Sequence, residues 1–323
     1  MLFWKKMTLP VFFCALCLFA FPVAGFSASD WPQKPVTIIS NYGAGGIIDA
    51  AARIMAMALE KEMGAKFIVK NTTGSGGTIG SAEAANAAPD GYTLAVITGG
   101  PMVAQPTFRE LPYKVDAWDL ISLVSQSPCA IQVNKDSPYK TLEDFIKAAQ
   151  EKPDQIVVAS TGIAGSPHLA IVGFSKYFNV KLRHMSERSS AESLKSLAGG
   201  TIEAIFDTES YITRYDTRGL LRFASERSKD PALKDIPCVK ESGFPIYLSI
   251  WTGLGAPKGT PPEILDKLHD ALAKAVKDPK VQQLFEQAGM NPLYLPKPEF
   301  EKFYAEQTQL YKELLGEAGL LKK

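Results

Sequence analysis

Histidine and cysteine are scarce in this chain, and each scarcity excludes chemistry. His168, His184 and His269 are its only histidines, and they are scattered without the spacing of a metal-ligand set. Two of the four cysteines, Cys14 and Cys17, fall near the N-terminus, which leaves Cys129 and Cys238. A Gly-x-Ser-x-Gly nucleophile elbow is missing, as is a P-loop lysine after any glycine run. Gly43-Ala-Gly45 and Gly74-Ser-Gly76 are followed by Ile48 and Ile79 where a dinucleotide fingerprint places its third glycine. Neither sign of charge dominates, with 35 Lys and Arg against 34 Asp and Glu. The chain therefore lacks the basic face that neutralises phosphates, and nucleic acid is not expected as a partner. No metal and no cofactor are expected either.

What is present begins with a leader. Lys5 and Lys6 precede an apolar run from Leu9 to Phe21, then small residues around Ala24, Gly25 and Ala28. This is the pattern of a secretory signal peptide, read as residues 1–28, and the run is shorter than the ~20 residues of a membrane-crossing helix. Phe13 and Leu16 stand before Cys14 and Cys17, where a lipoprotein cleavage site requires a small residue. Removing Lys5 and Lys6 from 35 basic residues leaves 33 against 34 acidic ones, a net charge of −1. In an exported chain Cys129 and Cys238 can pair or stay as small buried thiols, and spacing alone leaves that open. No second long apolar run follows residue 30, so any membrane event is expected to belong to a partner. The remaining length exceeds one ordinary core, which predicts two domains.

Short β-branched runs alternate with amphipathic stretches, the pattern of an α/β fold with largely parallel strands. Strands are predicted over Val36 to Ser40, Phe67 to Lys70, Tyr92 to Ile97, Ile121 to Gln126, Ala130 to Asn134, Ile156 to Ser160, Ile202 to Phe206 and Leu221 to Ala224. Helices are predicted over Ile47 to Met63, Thr78 to Ala87, Leu142 to Glu151, Pro167 to Phe178 and Ala191 to Leu197. After Trp251 only helices are read: Pro262 to Lys277, Val281 to Ala288 and Glu299 to Ala318. Lacking strands of their own, these must bury their apolar faces on a domain already built, and the N-terminal one is expected to receive them. The predicted organisation is domain 1 over 29–128 plus 252–323, domain 2 over 129–251, and a hinge of two crossings near Pro128 and Tyr247 to Trp251.

Four glycine-rich turns sit at the carboxyl ends of predicted strands: Tyr42 to Gly46, Thr73 to Gly77, Thr98 to Pro101 and Ser160 to Ser166. Glycine lets backbone amides approach a ligand, and a helix N-terminus behind such a turn favours an anion. Strand ends of an open parallel sheet share one edge, so these turns can converge on one crevice. Asp49 and Asp207 stand where a carboxylate can either serve the adjoining helix or meet a ligand. His168 can contact an anion or cap and pack its own helix, and Tyr42 can lay its ring on a ligand or in the core.

These residues resemble the Bug, or tripartite tricarboxylate transporter, solute-binding receptors over essentially the whole length after the leader. The landmarks run in order: Trp31-Pro-Gln-Lys-Pro35, Gly45-Gly46 with Asp49, Ala88-Pro-Asp-Gly-Tyr-Thr-Leu94, Leu111-Pro-Tyr113, Ile121-Ser-Leu-Val124, Ser160 with Gly162 and His168-Leu169, Phe206-Asp207, Glu241-Ser-Gly243, and Trp251 with Ala256-Pro-Lys-Gly-Thr-Pro261. The resemblance implies a type II periplasmic binding fold that captures a mono-, di- or tricarboxylate and delivers it to a membrane permease, as a monomer and without catalysis. It implicates Tyr42, Gly46, Asp49, Ser75 and Thr98 on one side of the ligand and Thr161, Gly162, Ser166 and Asp207 on the other, with His168 beside them. Asn41-Tyr42-Gly43-Ala44, Ile48 and Met185-Ser-Glu-Arg188 depart from the family pattern, so the ligand is not to be copied from a relative. A sensor subunit with the same pocket and a periplasmic enzyme are the competing classes.

Overall fold

The computed structural model describes residues 31–317 and 319–321; the leader expected over 1–28 lies outside them. The first parallel unit is β1 (Val36–Ser40), β2 (Phe67–Asn71) and β3 (Thr93–Ile97), in the order β2-β1-β3. Helix α1 (Ile47–Met63) connects β1 to β2, and its apolar positions Ile47, Ala51, Ile54, Met55, Ala58 and Leu59 recur at helical spacing and are buried. It stops at Gly64, whose φ of 66° is the left-handed conformation that closes helix C-termini. A 3-10 turn (Ser75–Gly77) leads into α2 (Thr78–Ala85), and a π-turn (Gly100–Ala104) after β3 leads into α3 (Gln105–Phe108).

The second unit repeats the arrangement. Strands β5 (Val157–Thr161), β6 (Arg183–Glu187) and β7 (Ala204–Thr208) are parallel in the order β6-β5-β7. Helix α4 (Leu142–Glu151) precedes them, α5 (Ser166–Tyr177) and α6 (Ser190–Ala198) connect them, and α7 (Ser210–Arg214) follows.

Two long antiparallel strands join the halves. β4 (Trp118–Val133) pairs from Trp118 to Pro128 with β9 (Ser249–Pro257), then from Cys129 to Val133 with β7 and with β8 (Arg218–Arg222). The hinge of two crossings is therefore a two-stranded ribbon, with Pro128 opposite Ser249. This corrects three expectations. The sheets are parallel only in their outer parts, because the crossing strands run antiparallel. The two strands read on either side of Pro128 are one: the proline, which has no N–H to donate, stands where β4 leaves one sheet for the other. Finally, β9 escaped the strand pattern because Gly253 and Gly255 dilute it; a Cβ on Gly253 would collide with the Phe300 ring, and one on Gly255 with Ile97. β6 and β10 (Pro292–Leu295) were missed as well, and their strands are incompletely buried.

Helices α8 (Pro262–Ala275) and α9 (Pro279–Gln287) share a core with α1. Helix α10 (Lys297–Glu317) does more. The Tyr304 hydroxyl donates to the Met102 carbonyl in the first half at 3.0 Å. Further along, Leu314 packs near Gly173 of α5 and Lys176 pairs with Glu317 at 2.9 Å. The last helix thus straps both halves, so assigning it to the first alone understates its contacts. Cys129 and Cys238 are both buried and free, which answers the disulfide question.

Candidate ligand-binding cleft

The turn after β1 is assembled by Asp49. One carboxylate oxygen accepts from Gly45 N at 2.9 Å and Arg53 Nε at 3.0 Å, and the other accepts from Asn71 Nδ2 at 2.9 Å. Burial opposes the charge of Asp49, but these donors outweigh it and hold its pKa below the ordinary value. Asn71 also donates to the Tyr42 carbonyl at 3.0 Å, fixing the start of the turn. The helix that follows has Gly46 as N-cap and no side chain bonded to its first-turn amides.

Across the cleft the turn after β5 has the same form. Ala164 N donates to His168 Nδ1 at 3.0 Å, and α5 starts at Gly165, again without a capping side chain. The His168 ring stacks on His184 at 4.3 Å between centroids, and burial pushes both imidazoles down to about 4. Each is therefore neutral near pH 7. By contrast α4 is closed by a Thr141–Asp144 capping box.

The halves touch over these turns. A Cβ on Gly100 would lie 3.2 Å from Gly165 Cα and 3.2 Å from the Tyr42 hydroxyl, so any larger residue would press the two turns apart by a few tenths of an ångström. Gln105 Nε2 donates to the Gly76 carbonyl at 2.9 Å and reaches over to the Ile163 carbonyl at 3.4 Å.

Between the halves lies an inner pocket of about 60 Å³, room for a few water molecules or a carboxylate at roughly 10–15 Å³ per water. Tyr42, Gly46, Thr98, Thr161, Ser166 and Asp207 all line it. Beyond Tyr42 opens a vestibule of about 750 Å³, bordered by Ser75 and Gly162. Asp49 and His168 border neither space; their side chains are engaged by the turns they organise. Ser166 lines the inner pocket, but its hydroxyl is 2.5 Å from that of Tyr311, which also accepts from Trp251 Nε1 at 3.2 Å. Thr98 Oγ1 is buried and has no hydrogen-bond partner among the described residues.

Asp207, at the end of β7, is fully buried. It accepts from Thr208 N at 2.7 Å and Thr161 Oγ1 at 3.3 Å, and burial outweighs these bonds to push its pKa up to about 6. Tyr42 is half-buried, and burial raises its phenol so that it stays neutral.

Several lining residues carried no usable signal. Ile250 and Trp251 arrive on the unrecognised β9, whereas Gly99 and Gly100 belong to the predicted Thr98 to Pro101 turn, as the N-cap and first residue of the π-turn. Gln105 and Arg109 lie on or beside α3. Ser189 did have one: it precedes Glu192 by three residues and accepts its N–H at 3.3 Å as the N-cap of α6. Among the described residues no three His, Cys, Asp or Glu cluster as a metal site.

Two α/β halves, a two-strand hinge and a glycine-walled cleft define a solute-binding protein of the type II periplasmic kind. The chain belongs to the family described as "Tripartite tricarboxylate transporter family receptor", whose profile matches residues 51–320. It is 33% identical to "UPF0065 protein in gbd 5'region" of Cupriavidus necator, over 95% of this chain and 94% of that one. The structure of the periplasmic binding protein BugD superposes with a TM-score of 0.82 at 28% identity, over 91% of this chain and all of that one (100%). MatC from Rhodopseudomonas palustris with bound malate superposes with a TM-score of 0.79 at 26% identity, over 88% and 100% of the two chains.

Proposed function

We propose that this chain is an exported periplasmic receptor that closes on a small carboxylate and delivers it to the membrane permease of a tripartite tricarboxylate-type transporter. The observation that carries the reading is that α1 and α5, from opposite halves, both begin at the inner pocket with glycine N-caps and uncapped first turns. A helix start offers unpaired N–H groups and a partial positive charge, and a carboxylate supplies the missing acceptor. The Thr98 hydroxyl, without a hydrogen-bond partner among the described residues, adds a donor, and malate bound to MatC supports the ligand class.

The roles then divide by position. Gly46 and the turn residues Thr161, Gly162 and Gly165 let the backbone reach the ligand, and Tyr42 separates the pocket from the vestibule. Asp207 holds the Thr161 hydroxyl, which lies 3.2 Å from that of Ser190. A carboxylate placed beside Asp207 favours its protonated form, so binding strengthens as pH falls toward 6. Ser75 serves at the rim, and Asp49 and His168 support the turns. The working division is 29–128 plus 252–323 against 129–251, with α10 shared, after removal of the 1–28 leader. The receptor acts as a monomer, because one chain supplies both walls of the cleft.

Thermal shift and calorimetry on ligand-stripped protein, with a panel of mono-, di- and tricarboxylates, test the reading. A ligand that binds only the folded form raises the melting temperature with its concentration. No shift from any acid, on protein shown to be folded, would sink it.

A further inference from the structure

The vestibule contains a cation that the pocket chemistry leaves unused. Four charged side chains border it: Arg109 from the first half, and Glu187, Arg188 and Glu192 from the second. Arg188 Nε lies 3.5 Å from Glu192 Oε1, and Glu187 Oε1 accepts from Ser196 Oγ at 2.9 Å. Arg109 differs. Its Nη1 donates to Gln105 Oε1 at 2.6 Å and its Nη2 to Ser75 Oγ at 3.1 Å, both neutral acceptors. No described carboxylate forms an ion pair with it.

The guanidinium is also held in place. Gln105 is buried and anchored to the Gly76 carbonyl, and Ser75 sits in a left-handed turn with φ 49°. An arginine fixed by neutral acceptors keeps its charge and remaining donors for an incoming anion, which its planar fork can engage by two hydrogen bonds. Tyr42, Gly43, Arg188 and Ser189 line both spaces, so a ligand seated at the helix starts can extend past Tyr42 toward Arg109.

We propose that Arg109 is a specificity-determining residue that reads a second, distal carboxylate of the ligand, so that the cleft selects a diacid over the monoacid of the same chain length. This rests on the receptor reading and sharpens its ligand class. Ser75 and Gln105 act through Arg109 as positioning residues. Gln105 also bonds across the cleft, which couples recognition of the distal group to closure.

The test is calorimetry on the full mature chain with length-matched pairs: linear diacids from four to eight carbons against their monoacids, and benzene dicarboxylates against benzoate. At least one diacid is expected to bind ten or more times tighter than its monoacid. Arg109→Gln, at an exposed position, should erase that preference while changing monoacid affinity less than twofold. Arg109→Lys should restore part of it. Equal weakening of both acids by Arg109→Gln, or no weakening of either, overturns the assignment and leaves the receptor reading intact. Failure of the unmodified protein to bind any acid overturns both.

Discussion

The turns after β1 and β5 are built alike but secured by different chemistry. In each, a residue with positive φ, Gly45 at 81° and Ala164 at 61°, donates its N–H to the side chain four positions on. In each the helix then starts at an uncapped glycine. The acceptor is a charged carboxylate, Asp49, in the first half and a neutral imidazole, His168, in the second. Asp49 is compensated by Arg53 at 3.0 Å, and His168 carries no charge near pH 7. Neither turn therefore sets an uncompensated negative group against an arriving anion. The requirement is an acceptor of the right reach without net repulsion, and two residue types meet it.

The largest expected consequence is a difference in pH response. His168 and His184 have folded values of about 4, below the ordinary 6.5. The unfolded chain thus binds more protons between those limits, so stability is full above about 6.5 and is lost as pH falls toward 4. Each ring can contribute at most about 3 kcal/mol. Asp207 acts oppositely: its folded value of about 6 lies above the ordinary 3.8, so its contribution is full below about 4 and is lost as pH rises through 6. Urea midpoints from pH 4 to 7 should rise with pH, more steeply in Asp207→Asn and more shallowly in His168→Asn. Parallel curves for all three proteins would break the proposed asymmetry.

Next in size is Gly100→Val, which puts a branched side chain where the two turns meet. Opening the cleft relieves the clash, so the halves should stay folded while carboxylate affinity drops about 100-fold, near 2.7 kcal/mol. Scattering would show a more extended particle, and undiminished affinity would mean that the two turns need not meet.

Removing the acceptors themselves sharpens the comparison. Asp49→Ala frees donors from three partners and should cost about 2 kcal/mol of stability, whereas His168→Ala loses one hydrogen bond and a ring stack, about 1 kcal/mol. Both should weaken binding by loosening the amides. Equal costs in denaturant titration would make the two turns energetically equivalent.

The smallest effect belongs to Thr98→Val. It removes a hydroxyl with no hydrogen-bond partner among the described residues, so stability without ligand should hold or rise slightly, while carboxylate affinity falls about three- to tenfold. Unchanged affinity would show that the hydroxyl does not serve the ligand.

Much of this was legible along the chain. β1 and α1 fall where the pattern placed them, Val36–Ser40 and Ile47–Met63, because a β-branched run and a helical stripe leave little ambiguity. β7 and β8 appear two or three residues from their expected positions, since pairing register, not composition, sets where a strand ends. Tyr42, Gly46, Thr98, Thr161, Ser166 and Asp207, which line the inner pocket, were marked because each belongs to a strand-end turn. Arg109, Gln105 and Trp251 were not, because no local rule brings those positions to the cleft.

The order of apolar and glycine residues by itself determined the α/β class and the glycine turns at the ends of the parallel strands. These follow from periodicity and backbone freedom, which act over a few residues. Only the tertiary structure decided that Asp49 and His168 brace the turns from behind, that α10 ties the halves together, and that Arg109 faces the vestibule without an ion pair to any described carboxylate. A side chain's partners come from distant parts of the chain, and where it ends up is settled by packing that no local pattern records.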